Sequence, residues 1–283
     1  MAVILDGKGL AKKVVESVRE EVKKSGADPG LAVVIVGDNP ASRIYVDSKK
    51  KDCKECGIRS VEFALPEDTA EEKLLGLIDG LNTREDIHGI LVQLPLPAHI
   101  GADKIIQAIA PHKDVDGFHM LNIWRIFVND YAFLPCTPAG VVEILEHYNI
   151  SAKGKHCVVV GRSTIVGKPM AMMMTNLNAT VTVCHSATVD LASYTRQADI
   201  LVSAVGKVNA ITADMVKEGA VVIDVGINRG EDGKICGDVD YKPVEKIASY
   251  ITPVPGGVGP MTRAVLMKNT LKAAKMTGGN NGI

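Results

Sequence analysis

A tyrosine and a lysine lie four residues apart in a segment with helical spacing, with Tyr45 preceding Lys49. A helix over about 41–56 would place both side chains on one face, because residues four apart are neighbours on a helix surface. The ring could then stack on a flat ligand while the amine transfers a proton. Taken alone the pair is a weak signal, since tyrosine and lysine are common on the solvent-facing side of a helix.

Two further polar residues lie where a ligand could be bound. Gln93 lies near the carboxyl end of the run His88–Pro95, which predicts a buried strand, and this is the end where α/β sheets place ligands. Asp116 lies in a long segment without periodicity, and its carboxylate suits a pair of donors such as those of an amino-pyrimidine. A satisfied buried glutamine and a turn-capping aspartate are the structural alternatives.

A glycine-containing segment, Gly161–Gly167, follows one predicted strand and precedes a predicted helix. Glycines there let backbone N–H groups approach a phosphate, so the segment predicts a dinucleotide site. Ser163 stands where the usual fingerprint has its middle glycine, and a tight strand-to-helix turn is the alternative. The predicted cofactor contacts in this loop are Gly161, Arg162, Ser163, Ile165, Val166 and Gly167.

The end of the next predicted strand favours NADP over NAD. NAD sites usually place an acidic residue there to hold the ribose 2′-hydroxyl, whereas this strand ends in Cys184, His185 and Ser186. Arg162 by its charge and Ser186 by its hydroxyl could instead accept the extra 2′-phosphate. A solvated loop cation at Arg162 and a hydrogen-bonded strand end at His185 are the structural alternatives.

The alternation of strands and helices predicts how these residues are positioned. At 283 residues the chain exceeds what one core usually serves, which predicts two α/β domains flanking a cleft. Nearly all-apolar strands alternate with helices after residue 138, which predicts a Rossmann-type parallel sheet in the C-terminal domain. Before it, Thr69 to Glu72 has a capping-box pattern that predicts a helix start, and 111–137 reads as a long functional loop or as the region between the two domains.

The composition excludes several classes of protein. A formal net charge of -1 argues against a broad basic surface for nucleic acid. The longest apolar runs have the length of strands, and the first residues lack a secretory pattern, so we expect no membrane segment and a cytoplasmic location. Cys53 and Cys56 have no second pair to complete a zinc site, so we predict no metal and place them at a helix end before Gly57.

Together these segments resemble the bifunctional methylenetetrahydrofolate dehydrogenase/methenyltetrahydrofolate cyclohydrolase family, often called FolD. Each fragment is ambiguous alone, but their number and order over nearly the whole chain make chance similarity a poor explanation. The matching segments are Val36–Ser42 leading to Tyr45 and Lys49, Gly89–Pro97, Lys113–Phe118, Pro135–Pro138, Gly161–Gly167, Asp224–Asn228 and Pro253–Thr262.

The resemblance implies both an activity and a division of the chain. It implies oxidation of 5,10-methylenetetrahydrofolate by NADP and hydrolysis of the methenyl product to 10-formyltetrahydrofolate in the same cleft. A folate-binding domain would span 1–138 and be completed by a C-terminal helix over 262–283, with an NADP-binding domain over 139–261. A homodimer through the nucleotide-binding domains is also implied.

The resemblance assigns site residues as well. Tyr45 would pack on the folate, Lys49 would be the principal cyclohydrolase residue, Gln93 would support Lys49, and Asp116 would grip the pterin ring. Arg162, Ser163 and Ser186 would contact NADP. The remaining predicted contacts are Pro255, Gly256 and Gly257 for the substrate, in a segment where proline is rigid and glycine permissive, and His185 and Ile227 for the cofactor.

Three other readings stay open at this point. A dehydrogenase of another substrate class, such as an amino-acid or shikimate-type enzyme, would lack the set Tyr45, Lys49 and Gln93, which is present. A non-catalytic folate- or nucleotide-binding module would tolerate loss of Lys49 without functional change. A member of the same family with only one of the two activities is not excluded by sequence.

Overall fold

The chain folds into two compact α/β units, each built from two stretches of sequence. In this computed structural model, which describes residues 1–230 and 232–278, one unit contains Met1–Ala11 and Thr137–Thr262. The other contains Lys12–Cys136 and the segment from Arg263 onward. We call them the six-stranded unit and the three-stranded unit after their main sheets. The predicted fold class, two α/β domains with a parallel sheet in the second, is confirmed.

The strands are β1 Val3–Ile4, β2 Gly30–Val36, β3 Arg59–Leu65, β4 Gly89–Val92, β5 His156–Val160, β6 Thr180–Cys184, β7 Ile200–Ser203, β8 Val221–Asp224, β9 Asn228–Arg229, β10 Ile235–Cys236 and β11 Tyr250–Ile251. The α-helices are α1 Gly7–Ser25, α2 Pro40–Cys56, α3 Glu71–Thr83, α4 Ala102–Ala108, α5 Met120–Phe127, α6 Cys136–His147, α7 Gly167–Asn176, α8 Leu191–Thr195, α9 Tyr241–Glu245 and α10 Val258–Gly278.

The three-stranded unit has a parallel sheet in the order β3-β2-β4. Every residue of β2 is buried because the strand lies in the centre of the sheet, which explains its uninterrupted apolar sequence. Leu74, Ile78 and Leu81 of α3 pack against this sheet in the core. The carboxyl ends of β2 and β4 therefore share one edge, and Gln93 follows β4 at that edge, with its N–H donating to Val34 O at 2.8 Å.

The six-stranded unit has the order β1-β11-β8-β7-β5-β6, and its neighbouring strands are parallel. The chain crosses from one side of β5 to the other between β6 and β7, which makes the carboxyl ends of β5 and β7 the topological switch point. Such a point is where open α/β sheets bind ligands. The sheet core is formed by apolar residues such as Val158, Leu201 and Val222.

The division of the chain differs from the predicted boundaries at the N-terminus. Residues 1–138 were expected to form one domain, whereas Met1–Ala11 belong to the six-stranded unit. The reason is a long-range pairing: β1 adds to the edge of that sheet beside β11. A two-residue strand carries no periodicity from which this pairing could be predicted. The described part of α10 ends at Gly278, and 279–283 lie outside the described residues.

Three local predictions were wrong. The capping box at Thr69 is not formed, because α3 begins after Ala70 and the Thr69 hydroxyl is buried without a hydrogen-bond partner. The segment 111–137 is not one loop, since it contains α5 and the start of α6, although it does end at the boundary between the two units. The connection between β7 and β8 holds a 3-10 turn, Ala213–Met215, instead of the predicted α-helix.

A buried carboxyl in the six-stranded unit predicts a pH-dependent stability. Burial raises the pKa of Asp224 to about 6 from an ordinary 3.8, although backbone amides of Gly226, Asp238 and Val239 donate to it. A raised pKa means that the folded state favours the neutral carboxyl. The contribution of the neutral Asp224 side chain to the unfolding free energy is therefore lost as pH rises through about 6. The whole shift corresponds to about 3 kcal/mol, most of which is lost between pH 4 and 7.

We therefore expect the unfolding free energy of wild type, relative to Asp224→Asn, to fall by about 2–3 kcal/mol from pH 4 to pH 7. The asparagine variant has no titrating group at this position and serves as the reference at each pH. Urea unfolding at both pH values measures the difference. Parallel pH profiles for the two proteins would contradict the assignment.

Candidate active site and nucleotide-binding loop

Helix α2 directs a lysine toward the end of β4. The Lys49 Nζ donates a hydrogen bond of 2.9 Å to Gln93 Oε1. The amide of Gln93 is itself fixed, because its Nε2 donates to Leu94 O at 2.7 Å. Lys49 is partly buried, so the sheet edge and the helix together hold an amine in one direction while leaving it accessible.

The carboxylate of Asp116 lies in the electrostatic field of Lys49. Burial raises the pKa of the Asp116 carboxyl, and the nearby positive charge of Lys49 opposes this rise. Burial also raises the pKa of the Cys136 thiol, and Lys49 again opposes the rise. The backbone N–H of Cys136 donates to Asp116 O at 3.3 Å. Lys49, Gln93 and Asp116 therefore belong to one cluster within the three-stranded unit.

The loop that carries Asp116 is fixed by hydrogen bonds within the loop and from α10. Asp114 is buried and accepts hydrogen bonds from the backbone amides of Phe118 and His119 at 3.2 and 2.8 Å. From α10, the Asn269 Nδ2 donates to Val115 O at 2.8 Å. A Cβ atom at Gly117, where φ is +75°, would lie 2.7 Å from Leu134 C. The loop therefore has little freedom to move Asp116 away from Lys49.

Tyr45 shares its environment with two residues that the sequence interpretation did not assign. Burial raises the pKa of the Tyr45 phenol, and the positive charge of Arg263 opposes the rise. Arg263 Nη1 lies 3.0 Å from Asp52 Oδ2, and the side chains are only 28% and 13% exposed. Asp52 is seven residues after Tyr45 and three after Lys49, a spacing on one helix face that could have drawn attention to it.

The ion pair predicts a specific loss of stability. Replacing Arg263 by methionine would leave the Asp52 carboxylate largely buried without its partner. We expect a loss of about 1–3 kcal/mol of unfolding free energy, less than for a fully buried pair because both groups keep some contact with water. The same replacement in an Asp52→Asn background should cost less. Urea unfolding of the four proteins measures the coupling, and additive effects would contradict it.

The loop after β5 has the backbone properties of a phosphate-binding turn. A Cβ atom at Gly161, where φ is +135°, would lie 2.4 Å from Ala204 O, and one at Gly167 would lie 2.2 Å from Gly161 O. Only glycine fits at either position without displacing backbone. The Ser163 Oγ accepts hydrogen bonds from Val166 N and Gly167 N at 3.2 and 3.3 Å, so it caps the start of α7.

The side chains of this loop differ in accessibility. Arg162 and Ser163 are exposed, whereas Ile165 and Val166 are partly buried. An exposed guanidinium at the carboxyl end of β5 is available to an anionic ligand, while the two apolar residues anchor the loop on the unit.

The end of β6 lies beside that loop, because Val160 of β5 is in register with Cys184 of β6. The N–H of His185 donates to Thr188 Oγ1 at 2.8 Å, and its Nδ1 accepts from Ala187 N at 3.2 Å. Ser186 is exposed. His185 therefore shapes the turn, and the Ser186 hydroxyl is accessible at the same sheet edge as Arg162.

The segment Pro255–Gly257 belongs to the six-stranded unit, unlike Tyr45, Lys49, Gln93 and Asp116. Its Gly256 has φ of +113°, and Gly256 O accepts a hydrogen bond from Lys8 N at 2.7 Å. Gly257 N donates to Pro253 O at 2.8 Å. This turn is therefore anchored on the start of α1, and its predicted contact with substrate stays a prediction.

Cys53 and Cys56 lie at the end of α2, before Gly57 with φ of +75°. Burial raises the pKa of each thiol to about 12, so neither is a thiolate at neutral pH. Among residues 1–230 and 232–278, no group of three or more His, Cys, Asp or Glu side chains is arranged to hold a metal ion. Within the same residues, no helix has the length and apolar character needed to cross a membrane.

Comparison with known proteins relates both units to folate enzymes. The family model described as "Tetrahydrofolate dehydrogenase/cyclohydrolase, catalytic domain" matches residues 5–116. The model described as "Tetrahydrofolate dehydrogenase/cyclohydrolase, NAD(P)-binding domain" matches residues 135–278. The bifunctional protein FolD of Ruminiclostridium cellulolyticum is 56% identical over 281 residues, which cover 98% of this chain and 99% of that protein.

Solved structures agree with the sequence comparison. The bifunctional FolD enzyme of Campylobacter jejuni has a TM-score of 0.95 and 53% identity, with 98% of this chain and 99% of that chain covered. The Trypanosoma brucei enzyme, solved in complex with NADP and an inhibitor, has a TM-score of 0.93 and 39% identity, with 98% of each chain covered.

Proposed function

This chain belongs to the tetrahydrofolate dehydrogenase/cyclohydrolase family, and we propose how its own residues carry out the two reactions. The enzyme oxidises 5,10-methylenetetrahydrofolate to the methenyl form with NADP and hydrolyses that product to 10-formyltetrahydrofolate. The observation that carries the proposal is the Lys49–Gln93 hydrogen bond of 2.9 Å, beside the partly buried carboxyl of Asp116.

In the dehydrogenase step the chain mainly binds and orients. The nitrogen lone pair beside the methylene carbon of the folate pushes hydride out and leaves a delocalised methenyl cation, so no strong acid or base is required. NADP, when bound, supplies the hydride acceptor. The chain's contribution is to hold both molecules in a productive orientation and to exclude water.

The loop Gly161–Gly167 fits this cofactor, because side chains are sterically excluded at both glycines and the backbone is left accessible. Its exposed Arg162 and the hydroxyl of Ser186 would hold the 2′-phosphate, the first by charge and the second as a donor. His185 would support the turn that carries Ser186. Ile165, Val166 and Ile227 would supply apolar contacts around the dinucleotide.

In the cyclohydrolase step a proton must move while water adds to the methenyl carbon. Lys49 is the group we assign to this transfer, because its amine is accessible yet held by Gln93. The Gln93 Oε1 accepts from the amine whether the lysine is charged or neutral, so it keeps Nζ in place through the transfer. The amine can therefore release and regain a proton without changing its orientation.

Asp116 and Tyr45 would orient the folate for both reactions. A carboxylate can accept two hydrogen bonds from the neighbouring amino and ring N–H groups of a pterin, which suits Asp116 in its rigid loop. Tyr45, partly buried on the same helix face as Lys49, offers a ring for stacking. Pro255, Gly256 and Gly257 would approach the ligand by their backbone.

We also propose a cytoplasmic homodimer without nucleic-acid or membrane partners. The strand β6 is an edge of the six-stranded sheet with Thr180 and Val183 exposed, and such an edge can pair with a second copy. The cysteines of the described residues are free thiols, which suits a reducing compartment. Light scattering would separate a 30.1 kDa monomer from a dimer, and cell fractionation tests the location.

An assay of the purified protein with 5,10-methylenetetrahydrofolate and either NADP or NAD tests the proposed function. Reduced cofactor and methenyl product are followed separately, so the two activities are resolved on one sample. If reduced cofactor forms but the methenyl intermediate decays no faster than it does spontaneously, the protein is a dehydrogenase without cyclohydrolase activity. No turnover with either dinucleotide would refute the proposal.

A further inference from the structure

The carboxylate of Asp238 is completely buried in the six-stranded unit and binds three consecutive backbone amides. Val205 N donates to Oδ2 at 2.7 Å, and Lys207 N donates to Oδ1 at 3.0 Å. Gly206 N, between them, lies 3.0 and 3.2 Å from the two oxygens. Successive amides that converge on one anion form a nest, and here the anion is part of the protein.

Two further donors connect Asp238 to other segments. The Ser203 Oγ at the end of β7 donates at 3.2 Å, and the Asn228 Nδ2 donates at 2.9 Å. Asp238 is itself fixed, because its backbone N–H donates to Asp224 Oδ1 at 3.0 Å. One carboxylate therefore sets the positions of the segment after β7 and the segment after β8.

The side chains of these two segments face solvent while their polar groups turn inward. Val205, Val208 and Ile227 are 43%, 38% and 50% exposed. Gly206 has φ of +74°, the left-handed conformation that turns its amide toward Asp238. Val205, Val208 and Ile227 therefore form an exposed apolar surface on two segments that are both hydrogen-bonded to Asp238.

This surface adjoins the first glycine of the nucleotide-binding loop. Ala204 N donates to Val160 O at 2.8 Å, and a Cβ atom at Gly161 would meet Ala204 O. Because β5 and β7 flank the switch point, a dinucleotide with its 2′-phosphate at the end of β6 directs its other half over the end of β7. That half carries the nicotinamide.

We propose that Asp238 is a positioning residue for the nicotinamide half of NADP, and that Val205 and Ile227 form the apolar platform it holds in place. The inference rests on the proposed function. A flat ring binds more tightly to aliphatic side chains that are ordered before binding, because less conformational entropy is lost. The buried carboxylate supplies that order without touching the cofactor.

The test is Asp238→Asn, with Asp240→Asn as the matched control two residues away. Asparagine keeps the size but replaces one acceptor oxygen with an NH2 group that faces amide donors, so the nest is disrupted. We expect the Kd and KM for NADP to rise about tenfold, with the cyclohydrolase kcat and its folate KM changed less than about twofold. The control should leave all of these constants near the wild-type values.

Gly206→Ala provides a second variant in which Asp238 is intact. No atom lies within 4 Å of the added Cβ, so the substitution acts only through the positive φ. We expect a smaller increase of NADP KM, about threefold, again without loss of cyclohydrolase activity. This variant therefore tests whether the conformation of the loop after β7 affects NADP binding, even if Asp238→Asn does not fold.

Three outcomes overturn the inference. A folded Asp238→Asn protein with unchanged NADP affinity would show that the nest does not serve the cofactor. A parallel loss of both activities in Asp238→Asn would show a general structural role. An unchanged NADP KM in Gly206→Ala would show that the conformation of this loop does not affect the cofactor. If wild type itself does not bind NADP, the proposed function fails first, which separates the two failures.

Discussion

Lys49→Met is expected to lower the cyclohydrolase kcat by about 10²–10⁴-fold while the dehydrogenase retains much of its rate. Methionine keeps most of the length and apolar contact of the lysine stem but has no proton to give. The dehydrogenase step releases hydride by the push of a substrate nitrogen, so it does not need the amine. The two rates, measured on the same sample with the methenyl and methylene substrates, provide the comparison.

Lys50→Met is the matched control for this prediction. Lys50 is the next residue of α2, but it is exposed and its Nζ lies 2.7 Å from Glu62 Oε2 of β3. Loss of a neighbouring charge without loss of the Lys49–Gln93 contact should leave both activities close to wild type. Equal retention of both activities in Lys49→Met would remove Lys49 from its assigned step.

The elements that were predictable from sequence are those with one dominant local cause. The run Leu31–Val36 is apolar throughout because β2 is covered on both faces. Such an uninterrupted apolar run of strand length predicts a buried parallel strand directly. The alternation of such runs with helices was enough to predict the parallel sheet of the six-stranded unit. The turn that begins at Gly161 was also recognisable from local sequence, since this position admits no side chain.

The elements that were missed depend on distant partners. Helix α5 begins at Met120 after a turn fixed by the buried carboxylate of Asp114, which binds the Asn122 Nδ2 at 2.8 Å as well as two backbone amides. Strand β1 exists because β11, nearly 250 residues away, provides a parallel partner. Neither cause is present in the local spacing of residues.

In the candidate site too, some features follow from local sequence and others depend on residues far away in the chain. Tyr45 and Lys49 are four residues apart, so their common face followed from helix geometry, but a common face alone does not make a site. The partner Gln93 is 44 residues from Lys49 and is brought to it by β4. Asp52 and Arg263 meet only because α2 packs near α10, and Asp238 binds a loop 31 to 33 residues before it.

Arg162→Ala is expected to weaken NADP binding by about 10–100-fold and NAD binding by less than about twofold. The reason is the position of an exposed guanidinium at the end of β5, beside a β6 end that offers a serine hydroxyl and no carboxylate. The lost interaction is with the 2′-phosphate, which NAD does not have. The Kd values of both dinucleotides, titrated on wild type and variant, give the ratio directly.

Arg196→Ala controls for the loss of one positive charge from the same unit. Arg196 already contacts Asp214, because its Nη2 lies 3.7 Å from Oδ2 and its Nε donates to Asp214 O at 2.6 Å. Its removal should leave the NADP-to-NAD ratio unchanged. Since Arg162 is exposed, its effect should also shrink as salt is raised and screens the charge. An Arg162→Ala protein with the wild-type cofactor ratio at low salt would place the 2′-phosphate elsewhere and leave the preference for NADP without its assigned cause.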